Sequence, residues 1–251
     1  MAAGPVAVAG RQLTTDSLGD SLARLQPLYL LADSQLLFWR HGDRLLLESA
    51  IDNLADDLPI SAAYIGASNG DRPEFYDIFE AAVEAVGITR HHMVDSSFGA
   101  DDRDFLEQAG VILLAGGDVR LGWKVFERTG MADVIRTRYA QGALLIGISA
   151  GAVQLGLYGI VKKAQSSATE LIDLFKFVPA IIDTHDERSE WARLAGTVQT
   201  MKGAAAGLGI PSGGGLIVHE DATVEPLRRP VHEFRYEETG VVHSLLCPAE
   251  D

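Results

Sequence analysis

Apolar residues in this chain come in short unbroken runs, separated by longer stretches where they recur every three or four positions. The runs are "PLYLLA" (27–32), "SAAYIGA" (61–67), "HHMVD" (91–95), "GVILLAGG" (110–117), "ALLIGIS" (143–149) and "PAIIDTH" (179–185). Several are apolar almost throughout, as parallel strands covered on both faces require. Between them, residues 74–87 carry Phe75, Ile78, Phe79, Ala82 and Val86 at helical spacing, and residues 122–142 and 189–203 are also helix-like. Strand–helix alternation predicts an α/β fold: a doubly wound, mostly parallel sheet between helical layers, a three-layer sandwich. Residues 213–248 contain β-rich stretches and no good helix, which predicts a strand-rich C-terminal tail along the sheet edge. Residues 36–59 read as a hairpin or strand–helix insertion. With no linker and no internal repeat, 1–251 reads as a single domain.

Composition and charge act mainly by exclusion. The 251 residues are 47% hydrophobic, enough for one large core. Twenty-one basic residues against 35 acidic ones leave a net charge of −14, which repels phosphate backbones and anionic surfaces. Nucleic acid and membrane are therefore not expected as partners. Cys247 is the single cysteine, so neither an internal disulfide nor a Cys/His zinc spacing is available, and no metal or cofactor is called for. The first twenty residues lack a basic start followed by a long apolar core, and no apolar run approaches the ~20 residues of a membrane span. A soluble, cytoplasmic protein is expected, and homo-oligomerisation is plausible by analogy and base rate.

The chemistry lies where strands end. Ligands of α/β sheets bind beyond the carboxyl ends of the strands, and three such ends here are unusual. "AGGD" (115–118) is a glycine pair whose unhindered backbone can offer amides to a developing oxyanion. "GISAGA" (147–152) has the G-x-S-x-G form of a nucleophile elbow, with Gly147 and Gly151 permitting a sharp turn that lifts Ser149 out of the sheet. The amide of Ala150, next after the serine, is a natural second oxyanion donor. "DTHDER" (183–188) supplies His185, a side chain suited to general-base work near neutral pH. Each signal also has a structural reading (tight turn, small-residue packing, hydrogen-bonded histidine). Their occurrence in order after successive apolar strands favours the catalytic one.

These segments resemble the dipeptidase E/cyanophycinase family of serine peptidases. The likeness rests on residues 64–88, "ILLAGGDVRLGW" (112–123), "IGISAGAVQLG" (146–156) and "FVPAIIDTHDERSEWARL" (177–194), followed by "GLGIPSGGGLIV" (207–218). It implies a fold related to class I glutamine amidotransferases, with Ser149 standing where those enzymes use cysteine. It further implies Ser149 as nucleophile, His185 as general base, and Gly117 and Ala150 as oxyanion donors. The substrates it implies are Asp-X dipeptides or β-aspartyl-arginine links, cleaved through an acyl-enzyme. The chain departs from the family in having Val119 where a glutamine usually follows "GGD". Its histidine segment is also one residue shorter, with Glu190 in the stretch where the family carries arginines. The family takes its third member from between serine and histidine, where Glu170 is the first choice and Asp173 a second; Asp183, on the strand face of His185, is another. Gly116, Asp118, Arg120 and Arg188 are the expected substrate contacts. Acyl transfer, a non-catalytic ligand-binding relative, and an α/β-hydrolase using His232 or His243 are the competing readings.

Overall fold

The computed structural model describes residues 25–249 apart from 53, 55–59 and 164–167. The N-terminal stretch read for a secretory signal therefore lies outside the described residues, as does most of 53–59 in the predicted insertion. In chain order the strands are β1 (Leu28–Leu31), β2 (Arg40–His41), β3 (Arg44–Leu45), β4 (Ser61–Ile65), β5 (Arg90–Val94), β6 (Val111–Leu114), β7 (Leu144–Ile148) and β8 (Tyr158–Lys162). They continue as β9 (Thr169–Asp173), β10 (Ala180–Thr184), β11 (Ala206–Ile210), β12 (Gly215–Val218), β13 (Val224–Leu227), β14 (Val231–Glu237) and β15 (Gly240–Leu246). The helices are α1 (Leu46–Ile51), α2 (Pro73–Glu84), α3 (Ala100–Leu106), α4 (Val119–Thr129), α5 (Met131–Ala140), α6 (Ala150–Leu155) and α7 (Ala192–Met201).

A seven-stranded sheet runs in the order β13-β12-β1-β7-β6-β4-β5. The five strands from β1 to β5 are mutually parallel, and β12 and β13 close one edge antiparallel. Within the apolar runs the side chains sort by alternation. Leu28, Leu30, Ile112, Leu114 and Leu145 pack on one face with Trp123, Phe126 and Ile135, whereas Tyr29, Leu31, Leu113 and Ile146 face the other with Leu47, Phe79 and Val83. Both faces are dry, which is why the runs show no polar alternation. Helix α2 starts with Pro73 at its first turn, where the missing N–H is no loss. The stretch 122–142 forms two helices instead of one, because Gly130 takes φ 76° and turns the chain between α4 and α5. The insertion at 36–59 contains a β2–β3 hairpin leading into α1.

One sequence expectation is corrected. The run at 179–185 does not join the central sheet; β10 begins a second sheet, ordered β10-β11-β14-β15, with β10 parallel to β11 and the rest antiparallel. Trp191, Leu194 and Val198 at the start and along α7 cover it, packing on Ile181 and Phe234. The strand-rich tail is thus divided: β12 and β13 edge the first sheet, while β14 and β15 complete the second.

Candidate active site

Ser149 sits between β7 and α6 with φ 49° and ψ −106°, a strained backbone for a non-glycine residue. Its amide donates to the Leu31 carbonyl at 2.8 Å and its carbonyl accepts the first helical bond, from Val153, at 3.0 Å. The turn can be this tight because its flanks are glycine. A Cβ on Gly147 would lie 2.6 Å from the Ala152 nitrogen, and one on Gly151 would lie 2.1 Å from the Leu114 carbonyl oxygen. The glycines let α6 press directly onto β6 and β7, and that contact presents the serine.

Gly117, at φ 140°, passes so close to the next loop that a Cβ there would meet Ser68 O at 2.1 Å. Asp118 anchors the same crossing: its amide donates to Ser68 O at 2.7 Å and its carboxylate caps α4 by accepting from the Leu121 amide at 2.8 Å. The amides of Gly117 and Ala150 have no acceptor among the described residues, which leaves them available to a ligand. Ser149, Gly117 and His185 line a cleft of about 450 Å³ together with Gly116, Asn69 and Arg72, floored by Tyr64, Phe79 and Ile148. A smaller recess of about 210 Å³ shares Ser149, Gly117 and His185 and adds Ala150 and Val119.

His185 follows β10 at φ 59°, so the strand alternation ends there, and no hydrogen bond joins its ring to Asp183, although both line the smaller recess. Its Nε2 lies 2.8 Å from the Ala32 carbonyl oxygen and its Nδ1 lies 3.0 Å from Ser212 Oγ. The ring thus stands in the cleft beside Ser149 while hydrogen-bonded to the end of β1 and to the β11–β12 turn.

None of the carboxylates expected to serve the histidine touches its ring. Glu170 on β9 is engaged by Arg120, which also donates to Lys162 O at 2.9 Å; the pair ties α4 to the β8–β9 hairpin. That contact occupies both Glu170 and Arg120 in holding two elements together, and neither lines the cleft. Asp173 pairs with Lys176 in the hairpin's continuation. Asp183 is buried, accepts from Arg193 Nε at 2.7 Å and from the Thr184 amide at 2.9 Å, and burial raises its carboxyl above the usual range although Arg193 pulls the other way. Asp118 serves as the helix cap, and Arg188 is exposed outside both recesses. His232 and His243 stack on each other at 5.1 Å, between Trp191 and Phe234 in the second sheet, and line neither recess.

Residues that sequence reasoning passed over complete the walls. Arg72 stacks 5.2 Å above the Phe75 ring and donates to Glu74 at 2.8 Å. Asn69 donates to Tyr64 Oη at 3.0 Å and accepts from the Arg72 amide at 3.2 Å. Asp33 holds the Gly213 amide. The string "SNGDRP" (68–73) carries turn residues before a helix-starting proline and could have marked this wall; the Ala32 carbonyl leaves no trace in sequence. One group on α2 and β5 could offer three ligand atoms to a cation, Glu80, Glu84 and His91. Its two carboxylates address opposite ring nitrogens at 3.6 and 3.5 Å, an ion-pair arrangement more than a chelate.

A serine on a strained strand–helix turn, beside unpaired amides and a histidine in one cleft, is an arrangement that serine hydrolases of the α/β sandwich class use. The chain belongs to peptidase family S51, whose model matches residues 28–225, and it is a serine peptidase. Two solved structures share the fold. A peptidase from an acI-B1 Actinobacterium superposes with a TM-score of 0.65 at 12% identity, over 91% of this chain and 97% of its own. A protein described as a candidate peptidase E from Listeria monocytogenes EGD-e gives 0.54 at 18%, over 88% and 99%. No curated protein matches this chain in sequence. Among the described residues no helix is long and apolar enough to cross a membrane.

Proposed function

We propose that this peptidase cleaves small peptides or amides through an acyl-enzyme on Ser149, with His185 as the base. The observation that carries the reading is the Ser149 backbone, held at φ 49° in a cleft that His185 shares. Ser149 Oγ attacks the scissile carbonyl, and its proton passes to His185 Nε2. The oxyanion lies toward the Gly117 and Ala150 amides, and the protonated imidazole returns its proton to the leaving amine. Water, activated by the same nitrogen, then releases the acyl group; an amine in place of water would give transfer. For the proton to reach Nε2, the ring must exchange its bond to the Ala32 carbonyl for one to Ser149.

Cleft charge supports a short zwitterionic substrate. Arg72 is the cation on the wall of the larger recess and Asp33 is also on that wall. The arrangement suits Asp-X dipeptides, whose carboxylate pairs with Arg72 in place of the expected Arg120 or Arg188. It also suits β-aspartyl-arginine links, whose guanidinium would pair with Asp33.

A fluorophosphonate reagent tests the assignment, because its adduct resembles the tetrahedral state. One adduct on the peptide spanning 147–152 is expected, with none on Ser149→Ala. His185→Gln should label at least a hundredfold more slowly, since triad members act as a unit. Hydrolysis assays on Asp-X, β-aspartyl-arginine and uncharged dipeptides then define the substrate; Arg72→Gln should raise KM for the Asp-X series. Unchanged labelling of Ser149→Ala would remove the nucleophile.

A further inference from the structure

His185 has no carboxylate on its ring, yet the atoms behind it form a connected path to one. Ser212 Oγ lies 3.0 Å from His185 Nδ1, and the Ser212 amide donates to Glu187 Oε1 at 2.9 Å. The Oε2 of the same carboxylate is buried with no hydrogen-bond partner among the described residues, which leaves it free to accept a hydrogen from the neighbouring Ser212 side chain. Burial opposes ionisation of Glu187, but the donors around it, its own backbone amide and the Ser212 hydroxyl and amide, together with the nearby His185, hold its carboxyl below the usual range. Glu187 is therefore anionic at neutral pH, behind a hydroxyl that touches the imidazole.

We infer that Ser212 and Glu187 act together as positioning residues for His185, the hydroxyl carrying the influence of the carboxylate to Nδ1. The inference rests on His185 being the base. A hydroxyl can either donate to a bare Nδ1 or accept from an Nδ1–H. When Glu187 accepts the Ser212 hydrogen, Ser212 Oγ presents only lone pairs to the ring, which keeps the imidazole hydrogen on Nδ1. Nε2 is then unprotonated and can take the Ser149 proton; the new Oγ–carbon bond forms as the Oγ–H bond breaks. In the resulting imidazolium, Nδ1–H still donates to Ser212, whose hydrogen stays on its own oxygen and points to Glu187. No proton travels to the carboxylate. The 2.8 Å contact of Nε2 with the Ala32 carbonyl requires a hydrogen on Nε2, so that carbonyl favours the opposite tautomer or the imidazolium. Glu187 and Ala32 thus compete over where the imidazole hydrogen resides.

Other charges face this path. Asp33 lines the cleft with His185, Asp186 and Asp183 share Arg193, and His232 senses Glu187 from the second sheet. None of them is hydrogen-bonded to the His185 ring.

The test uses the full chain and two readouts. The first is the nitrogen-15 NMR titration of the His185 ring, assigned by its loss in His185→Gln. The second is the rate of Ser149 phosphonylation across pH. Glu187→Gln and Ser212→Ala should each shift the imidazole hydrogen toward Nε2 and lower the His185 titration midpoint by roughly half a pH unit or more. Labelling should slow about ten- to hundredfold, less than the ~10⁴-fold loss when a directly bonded carboxylate fails to set the tautomer. Ser212→Thr and Glu187→Asp should restore most of both signals, and the double variant should be no slower than the worse single one. A Glu187→Gln chain with the parent's tautomer, midpoint and labelling rate overturns the inference, as does an unperturbed Ser212→Ala. If the parent itself fails to label, the nucleophile assignment fails, while the NMR arm still decides the relay.

Discussion

Two glycine-to-alanine variants of identical composition should differ in stability by several kcal/mol. Gly151 lies in α6, all of whose residues are buried. An added methyl would lie 2.1 Å from Leu114 O, 2.7 Å from its carbonyl carbon and 2.8 Å from Leu114 Cβ, so the backbone of β6 or α6 must move. Overpacking of this kind costs about 1–3 kcal/mol and more where rigid backbone is the obstacle; the helix preference of alanine returns at most about 1. A net loss of about 2 kcal/mol or more follows. Gly196 lies exposed in α7, with no atom within 4 Å of its added methyl and no positive φ. Alanine there should stabilise by roughly 0.5–1 kcal/mol. The difference, about 3 kcal/mol, corresponds to roughly 6–12 °C in Tm for a chain of this size. Urea and thermal unfolding followed by tryptophan fluorescence would measure it. Because α6 carries the turn at Ser149, Gly151→Ala should also slow phosphonylation about a hundredfold, the penalty of a displacement near 1 Å. If Gly151→Ala matched Gly196→Ala in Tm and labelling, close packing of the elbow would not be what holds the serine in place.

Two further outcomes concern charge. Arg193→Met strands the buried Asp183 carboxylate and should cost about 3 kcal/mol at neutral pH, whereas Asp183→Asn leaves a half-exposed arginine and should cost less. Since burial already raises Asp183 in the fold, the native chain binds the extra proton. The Arg193→Met penalty should therefore be absent below about pH 4 and grow as pH rises through the raised folded value; a penalty independent of pH in urea melts would contradict the pairing. Burial, then the charge of His243, lowers His232 below its ordinary value, with Glu187 opposing. The unfolded chain then binds more protons, so parent stability should fall as pH drops below about 6.5; His243→Phe, which keeps the stack on Phe234, should lose less between pH 7.5 and 5.

The central sheet was legible because its inner strands are buried on both faces: runs such as 110–117 and 143–149 have few other readings. The elbow was legible for a related reason, since tight turns restrict residue type and leave Gly147, Ser149 and Gly151 in a recognisable spacing. What could not be read is partnership. The strand at 179–185 looks the same whether it joins the first sheet or begins a second, because both bury it fully. The carboxylate nearest His185 in effect is Glu187, two residues on, but its contact runs through Ser212, a turn residue 27 positions from the histidine. Glu170 had suitable order along the chain, yet order says nothing about which arginine reaches it first. Chemistry carried by backbone atoms, such as the Ala32 carbonyl, has no sequence signature.

The end of β1 bears on how this molecule reaches its native state. Leu31 receives the Ser149 amide, Ala32 receives the His185 ring and donates to Gly214, and β1 itself is zipped between β7 and β12. Its partners lie more than a hundred residues further along the chain, as in the pairings Leu28 with Leu145 and with Val218. During synthesis at about 5–20 residues per second, "LYLL" leaves the ribosome well before β7 and waits longer still for β12. Throughout that interval an apolar segment with two open edges is exposed, the condition that invites chaperone capture or aggregation. Refolding from urea should show the same lag. Most tryptophan burial should precede the return of Ser149 reactivity, because Ser149 and His185 take their final places only after the first strand has been enclosed from both sides.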